Sequence, residues 1–159
     1  MSNNYEIFYY GGILVAMKIK KITTNKKQYL SLLLLADEQE SMVDKYLDRG
    51  NMYVLFQDDT AISECVVTDE GNKILEIKNL ATNPDFQHQG YAQKIVEFIE
   101  QKYRGQFDIL QVGTGDSPLT LPFYEKIGFR VSGRKRNFFV DNYDHPIFEA
   151  GKQLVAMIY

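Results

Sequence analysis

The chain has 159 residues, 45% of them hydrophobic and 25% charged, which suits one globular domain with room for a core. Its formal net charge of -3 and pI of about 5.4, with no basic stripe, exclude a nucleic-acid binder of the usual electrostatic kind. No apolar run approaches the roughly 18 residues that span a bilayer, and the single cysteine, Cys65, permits no internal disulfide and gives a cytoplasmic reading.

Residues 1–16 stand apart from the rest. "MSNNYEIFYYGGILVA" lacks the basic n-region of a signal peptide. Met17 then opens "MKIKKI" as a natural start would. One reading makes residues 1–16 an extension upstream of the native start. The other makes "YEIFYY" and "ILVA" a hairpin about Gly11-Gly12. Under both, residues 17–159 form a single domain.

"MKIKKI" alternates as a short strand does. "NKKQYLSLLLLAD" predicts a helix capped by Asn25. "EQESMVDKYLD" places Met42, Val43, Tyr46 and Leu47 on one helical face and ends at Gly50. "NMYVLFQ", "TAISECVVTD" and "KILEIKNLAT" follow, separated by turns at Asp58-Asp59 and Glu70-Gly71-Asn72. They read as consecutive antiparallel strands. Ala92, Ile95, Val96, Ile99 and Tyr103 then recur at helical spacing up to Gly105. "FDILQVG" predicts a strand. "SPLTLPFYEKIG" predicts a helix opening on Ser117 and closing on Gly128, its regular part starting only at Pro122. "FRVSGR" and "KQLVAMIY" are expected as final strands. The order gives one α+β domain around a mixed sheet flanked by helices.

Between the strand ending at Thr82 and the helix containing Ile95 lies "QHQGYA". A short polar loop from strand to helix suits an anion. The first turn of a helix leaves backbone N–H groups without partners, and the macrodipole adds partial positive charge there. Gly90 lets a diphosphate approach the main chain, Gln87 and Gln89 add amide donors, and Ala92 keeps the first turn slim. His88 reads as a solvent-facing donor near phosphate. No G-K-[ST] follows, so this is not a Walker loop, and the phosphate is held rather than transferred.

Gln87-His88-Gln89-Gly90-Tyr91-Ala92 resembles the Q/R-x-x-G-x-G/A signature of the GNAT acyltransferase superfamily. "PFYEKIGF", Pro122 to Phe129, is similar to that family's late helix. The resemblance covers most of the chain from Met17 onward, and "GTGDSPLT" and "NFFVDNYDHPIFE" resemble a small bacterial branch. It implies the GNAT (acyl-CoA N-acyltransferase) fold. It also implies acetyl transfer from acetyl-CoA, by direct attack, to a primary amine of a small molecule or peptide. A non-catalytic acyl-CoA-binding sensor or interaction module is the alternative. Small members of the family often pair through late strands, which admits a homodimer that no residue here specifies.

The resemblance also assigns roles. The main chain of Leu80, Ala81 and Thr82 would bind the pantetheine arm and polarise the thioester carbonyl. Gln87, His88, Gln89, Gly90, Tyr91 and Ala92 would hold the pyrophosphate. Tyr124 matches the tyrosine that protonates the leaving sulfur. Glu76, eleven residues before Gln87, matches the glutamate base of the histone-modifying branch. Ser117 stands where many members have an asparagine contacting the pantetheine, seven residues before Tyr124. Its hydroxyl either makes part of that contact or caps the helix.

Plainer readings stand beside these. Tyr124 has Phe123, Ile127 and Phe129 as neighbours and suits a core. Glu76 suits a salt bridge with Lys78. Cys65 suits a small core residue. "DNYDHPIFE" gathers Asp141, Asp144, His145 and Glu149, but at no familiar ligand spacing and around Pro146, so no metal is expected. It reads better as an acidic loop drawing in a cationic amine. The segments 25–49 and 137–146 are expected to choose the acceptor, with Phe138, Phe139 and Tyr143 hinting at an aromatic or apolar component.

Overall fold

The computed structural model describes the backbone of residues 4–10, 13–115, 117–149, 152–154 and 157–158. Strands β1 (Asn4–Tyr10) and β2 (Ile13–Ile22) pair antiparallel, from Tyr10↔Ile13 to Asn4↔Ile19. The segment before Met17 thus extends the sheet; the Gly11-Gly12 turn lies outside the described residues. Two short helices follow, α1 (Leu30–Ala36) and α2 (Glu40–Val43). The expected cap fails at Asn25. It adopts a left-handed conformation (φ 49°), its side chain caps nothing, and it opens a 3-10 turn over Lys26–Tyr29 instead.

The meander comes next: β3 (Asn51–Gln57), β4 (Thr60–Asp69) and β5 (Ile74–Thr82). Helix α3 (Tyr91–Tyr103) crosses over to β6 (Ile109–Val112), which pairs with β5 in parallel, as such a pairing requires. The main sheet is six-stranded, in the order β1-β2-β3-β4-β5-β6. The remainder is β7 (Thr114–Gly115), α4 (Leu121–Lys126), β8 (Arg134–Lys135), α5 (Phe138–Asn142), β9 (Ile147–Glu149), β10 (Lys152–Leu154) and β11 (Met157–Ile158). Strand β11 lies between β7 and β8 in a second sheet, and β9 pairs with β10.

Only the last residue of "FRVSGR", Arg134, is strand. The N–H of Phe129 bonds back to the Tyr124 carbonyl at 2.9 Å and its ring packs edge-on to Tyr124, 5.4 Å between centroids. That tie holds the chain against α4 and prevents extension until Arg134. Helix α4 starts at Leu121, with Pro122 in its first turn, where a proline loses no hydrogen bond.

The sheet has a core on each face. On one, Ile95, Val96 and Ile99 of α3 pack on Tyr53, Cys65, Val67, Leu75 and Ile77. On the other, Leu33, Val43, Tyr46 and Leu47 pack on Met52, Val54 and Val66. Strand β5 serves both faces through a bulge. Val66 faces Asn79 and Val67 faces Ile77, so Lys78 is an extra residue on β5. Before it, Leu75 and Ile77 face α3. After it, Leu80 packs on the α3 side and Asn79 turns to α1, donating to the Leu33 carbonyl at 2.9 Å. The parallel pairing with β6 stops at Ile77↔Val112, where the bulge bends the strand away.

Near this bend Glu70 accepts hydrogen bonds from Lys78 (2.9 Å), Arg49 (3.0 Å) and Thr68 (2.9 Å). Burial alone would raise its pKa, but these donors outweigh burial and hold it at about 2, against 4.5 ordinarily. The folded state therefore gains from the charge above pH 4.5 and loses that gain as pH falls toward 2. Urea midpoints of wild type and Glu70→Gln are expected to differ at pH 6 and converge toward pH 3. A constant gap across that range would contradict the assignment.

Candidate active site

The segment from Asn83 to Gly90 bends sharply. Asn83 Oδ1 accepts from the Asp85 N–H at 3.0 Å and opens a 3-10 turn over Pro84–Phe86. His88 (φ 62°) and Gly90 (φ 85°) are both left-handed. Gly90 is the N-cap of α3, so no side chain caps that helix. A Cβ on Gly90 would meet nothing within 4 Å, so the space before the helix N-terminus is open. Gln87, His88 and Gln89 are exposed there, and Gln87 Nε2 donates to the Thr82 carbonyl at 3.2 Å. Tyr91 differs from its loop neighbours. Its ring is buried, edge-on to Phe86 at 6.2 Å, so only its main chain belongs to the loop.

Strand β5 presents an open edge between the bulge and this loop. Among the described residues no strand pairs with 79–82 on the β6 side. The Asn83 N–H bonds the Ile62 carbonyl at 2.7 Å, toward β4. Main-chain donors alternate along a strand. Ala81 therefore also points to β4, and the N–H groups of Leu80 and Thr82 point to the open side. Of the three residues expected to offer donors, the geometry leaves two.

Tyr124 on α4 lines a cavity of about 790 Å³ between α3, β6 and α4, with Gln93, Val112, Thr114, Leu121 and Glu125 also on its wall. That size lies in the usual range for ligand pockets. The loop residues 87–92 are not on its wall, which takes in Leu75 of β5 and α3 from Gln93 onward. Burial raises the Tyr124 pKa well above its ordinary value, with Cys65 and Glu64 of β4 adding to the shift. The phenol thus stays protonated and lies within electrostatic reach of β4. Cys65 is fully buried and burial pushes its thiol up, which suits packing rather than nucleophilic attack. Ser117 is 1% exposed, and its Oγ accepts from the Leu119 N–H at 3.1 Å in a turn ahead of α4, whose N-cap is Thr120.

Glu76 lies on the paired part of β5, before the bulge. It forms an ion pair with Lys78 and accepts from Gln111 Nε2 at 2.5 Å. Glu64, which the sequence reading passed over, is 0% exposed, and neither of its carboxylate oxygens has a donor. It stands between Val54 on β3 and Ala81 on β5, on the α1 side of the sheet. The signal was available: a charged residue inside "AISECVV", a run otherwise apolar enough for burial on both faces.

The two segments expected to choose the acceptor meet. Tyr143 Oη donates to Asp37 Oδ1 at 2.6 Å, Tyr46 Oη to Asp37 Oδ2 at 3.2 Å, and the Asp144 N–H to Gln39 Oε1 at 3.0 Å. His145 lies 2.5 Å from Asp144 and 3.2 Å from Glu38, and these acids raise its pKa. Burial lifts the Asp37 carboxyl above its ordinary range against the hydrogen bonds from Tyr143 and Tyr46. Among the described residues no three His, Cys, Asp or Glu side chains converge as a metal site. Among the described residues no helix is long and apolar enough to cross a membrane.

Comparison with known proteins places these features in context. Residues 48–131 match a family model described as an acetyltransferase (GNAT) domain. The chain is 35% identical over 137 residues to YvbK of Bacillus subtilis (strain 168), described as an uncharacterized N-acetyltransferase; the match covers 85% of this chain and 88% of that one. A GNAT family acetyltransferase from Elizabethkingia anophelis, solved with acetyl-CoA bound, is 33% identical with a TM-score of 0.84, covering 89% of this chain and 94% of that one. A Bacillus subtilis acetyltransferase solved in complex with CoA is 32% identical with a TM-score of 0.81, covering 89% and 95%.

Proposed function

This chain belongs to the GNAT acetyltransferase family, and from that premise we propose that it moves an acetyl group from acetyl-CoA to a primary amine of a small molecule or peptide by direct attack. The observation that carries this reading is the open edge of β5 with its two outward N–H groups, joined by the cavity that Tyr124 lines between α3, β6 and α4. Acetyl-CoA supplies an activated thioester. The uncapped α3 N-terminus and Gly90 suit its diphosphate, because donors and open space coincide there.

Each step falls to a residue already described. The N–H of Leu80 or Thr82 steadies negative charge on the carbonyl oxygen as the amine attacks. Tyr124, held protonated by burial, gives its proton to the departing sulfur. The attacking amine must first lose a proton, since an amine of pKa near 10 is mostly charged at neutral pH. Glu76 serves as that base only if it releases Lys78.

A melting titration with acetyl-CoA, CoA and dephospho-CoA tests the binding half. Ligand at a hundredfold above its Kd stabilises by about 2.7 kcal/mol, which is roughly 5–11 °C for a domain of this size. No shift with any of the three would sink the reading.

A further inference from the structure

We propose that Glu64, with Asn79 beside it, receives the ammonium group of the acceptor, and that the acceptors are cationic primary amines with no carboxylate next to the nitrogen. This rests on the acyltransferase reading above. Three buried oxygens on one face of the sheet have no donor: Oε1 and Oε2 of Glu64 and Oδ1 of Asn79. Buried acceptors in folded proteins are nearly always satisfied. Three together, on adjacent strands, point to a missing donor group, and an ammonium carries three N–H donors.

Their position fits the reaction. Glu64 faces Ala81 directly across the β4–β5 ladder, and Asn79 lies two residues back along β5. Leu80 and Thr82, whose N–H groups open toward β6, flank Ala81. An amine held at Glu64 is therefore about one strand spacing, roughly 5 Å, from that edge.

The surroundings favour a cation. On the α1 side Tyr46 covers the pair, bonded to Asn79 Nδ2 at 3.0 Å and to Asp37 beyond it. On β3 the neighbour is Val54, which carries no charge. Lys20 of β2 lies a strand further and rests over the Phe56 ring at 5.9 Å. Cys65 and Tyr124 approach from the opposite face, both held neutral by burial. Beyond Tyr46 stands Asp37, with Glu38 and Asp144 on either side of His145. A carboxylate beside the amine would meet these acids and find no partner.

Burial also raises the Glu64 pKa well above the usual range; the Ala81 N–H, which approaches the carboxylate without hydrogen-bond geometry, offsets this only in part. Burial therefore favours the neutral acid of Glu64 in the free enzyme. As the ammonium arrives the acid proton leaves to solvent and a carboxylate–ammonium pair forms. When the carboxylate takes one N–H proton back, the amine is neutral and its lone pair is free to attack. One proton reaches solvent per amine bound.

The probe is 2-phenylethylammonium, titrated calorimetrically into the full chain saturated with CoA, in two buffers of different ionisation enthalpy near pH 7. Wild type is expected to bind it, to release about one proton per amine, and to bind phenylalanine more weakly. Glu64→Gln is expected to lose roughly tenfold to a hundredfold in amine affinity, along with the proton release, while its melting shift with CoA stays intact. That intact shift also shows that the variant folds. Amine affinity unchanged in Glu64→Gln, no proton release from wild type, or CoA bound without any amine binding would each overturn the assignment. Absence of the CoA shift in wild type would instead refute the acyltransferase reading, and Glu64 with it.

Discussion

Gly90→Ala is expected to weaken acetyl-CoA binding roughly tenfold to a hundredfold while lowering folding stability by only about 1–2 kcal/mol. The stability term is the ordinary penalty for a Cβ in the left-handed region, which φ 85° requires here. No clash adds to it, since the new Cβ meets nothing within 4 Å. The binding term is larger because that methyl stands in the open space before the first turn of α3, where a diphosphate would reach the main chain. A urea midpoint and a coenzyme titration on the same preparation separate the two. If stability falls as expected and the coenzyme affinity does not, the loop is a turn and nothing more.

Tyr124→Phe is expected to lower kcat by about a hundredfold or more with coenzyme affinity changed only a few-fold, the usual scale for losing a general acid. The ring's packing on Phe129 and Phe123 survives the change, so the melting temperature should hold. Burial keeps the phenol protonated beyond its ordinary range. The wild-type rate should accordingly show no alkaline decline from this group up to about pH 10. A core tyrosine without a chemical role would give the opposite result, with kcat unchanged in Tyr124→Phe. Free thiol release from acetyl-CoA with 2-phenylethylamine as acceptor reads both outcomes.

The parts of this fold that announce themselves in the sequence are those decided locally. The β3–β5 meander follows from apolar runs cut by Asp58-Asp59 and Gly71-Asn72. The α3 register follows from Ile95, Val96 and Ile99. The bend before α3 is legible because a glycine ahead of a helical run is a local signal. Contacts made later in the chain are not. Phe129 reads as the start of a strand because its tie to Tyr124 is invisible in composition. Asn25 reads as a cap because nothing nearby reveals its left-handed backbone. Tyr91 reads as part of the loop although its ring belongs to the core. Glu64 was hidden differently: its neighbours identify the strand, and the eye then treats the charge as an exception to burial rather than as a purpose. Which N–H groups of 80–82 are free depends on pairing with β4, which no single strand reveals.

Lys78 makes strand β5 behave like a message with a frame. Upstream of it odd-numbered residues address α3; downstream they address α1, so one continuous strand speaks to two audiences. Straightening the strand with Lys78 kept in the ladder would restore strict alternation and send Leu80 to the α1 side and Asn79 and Ala81 to the α3 side. Deleting Lys78 itself would leave every later residue addressed as it is and erase only the bend that parts β5 from β6. The extra letter is therefore kept for the bend it makes, whichever side chain spells it.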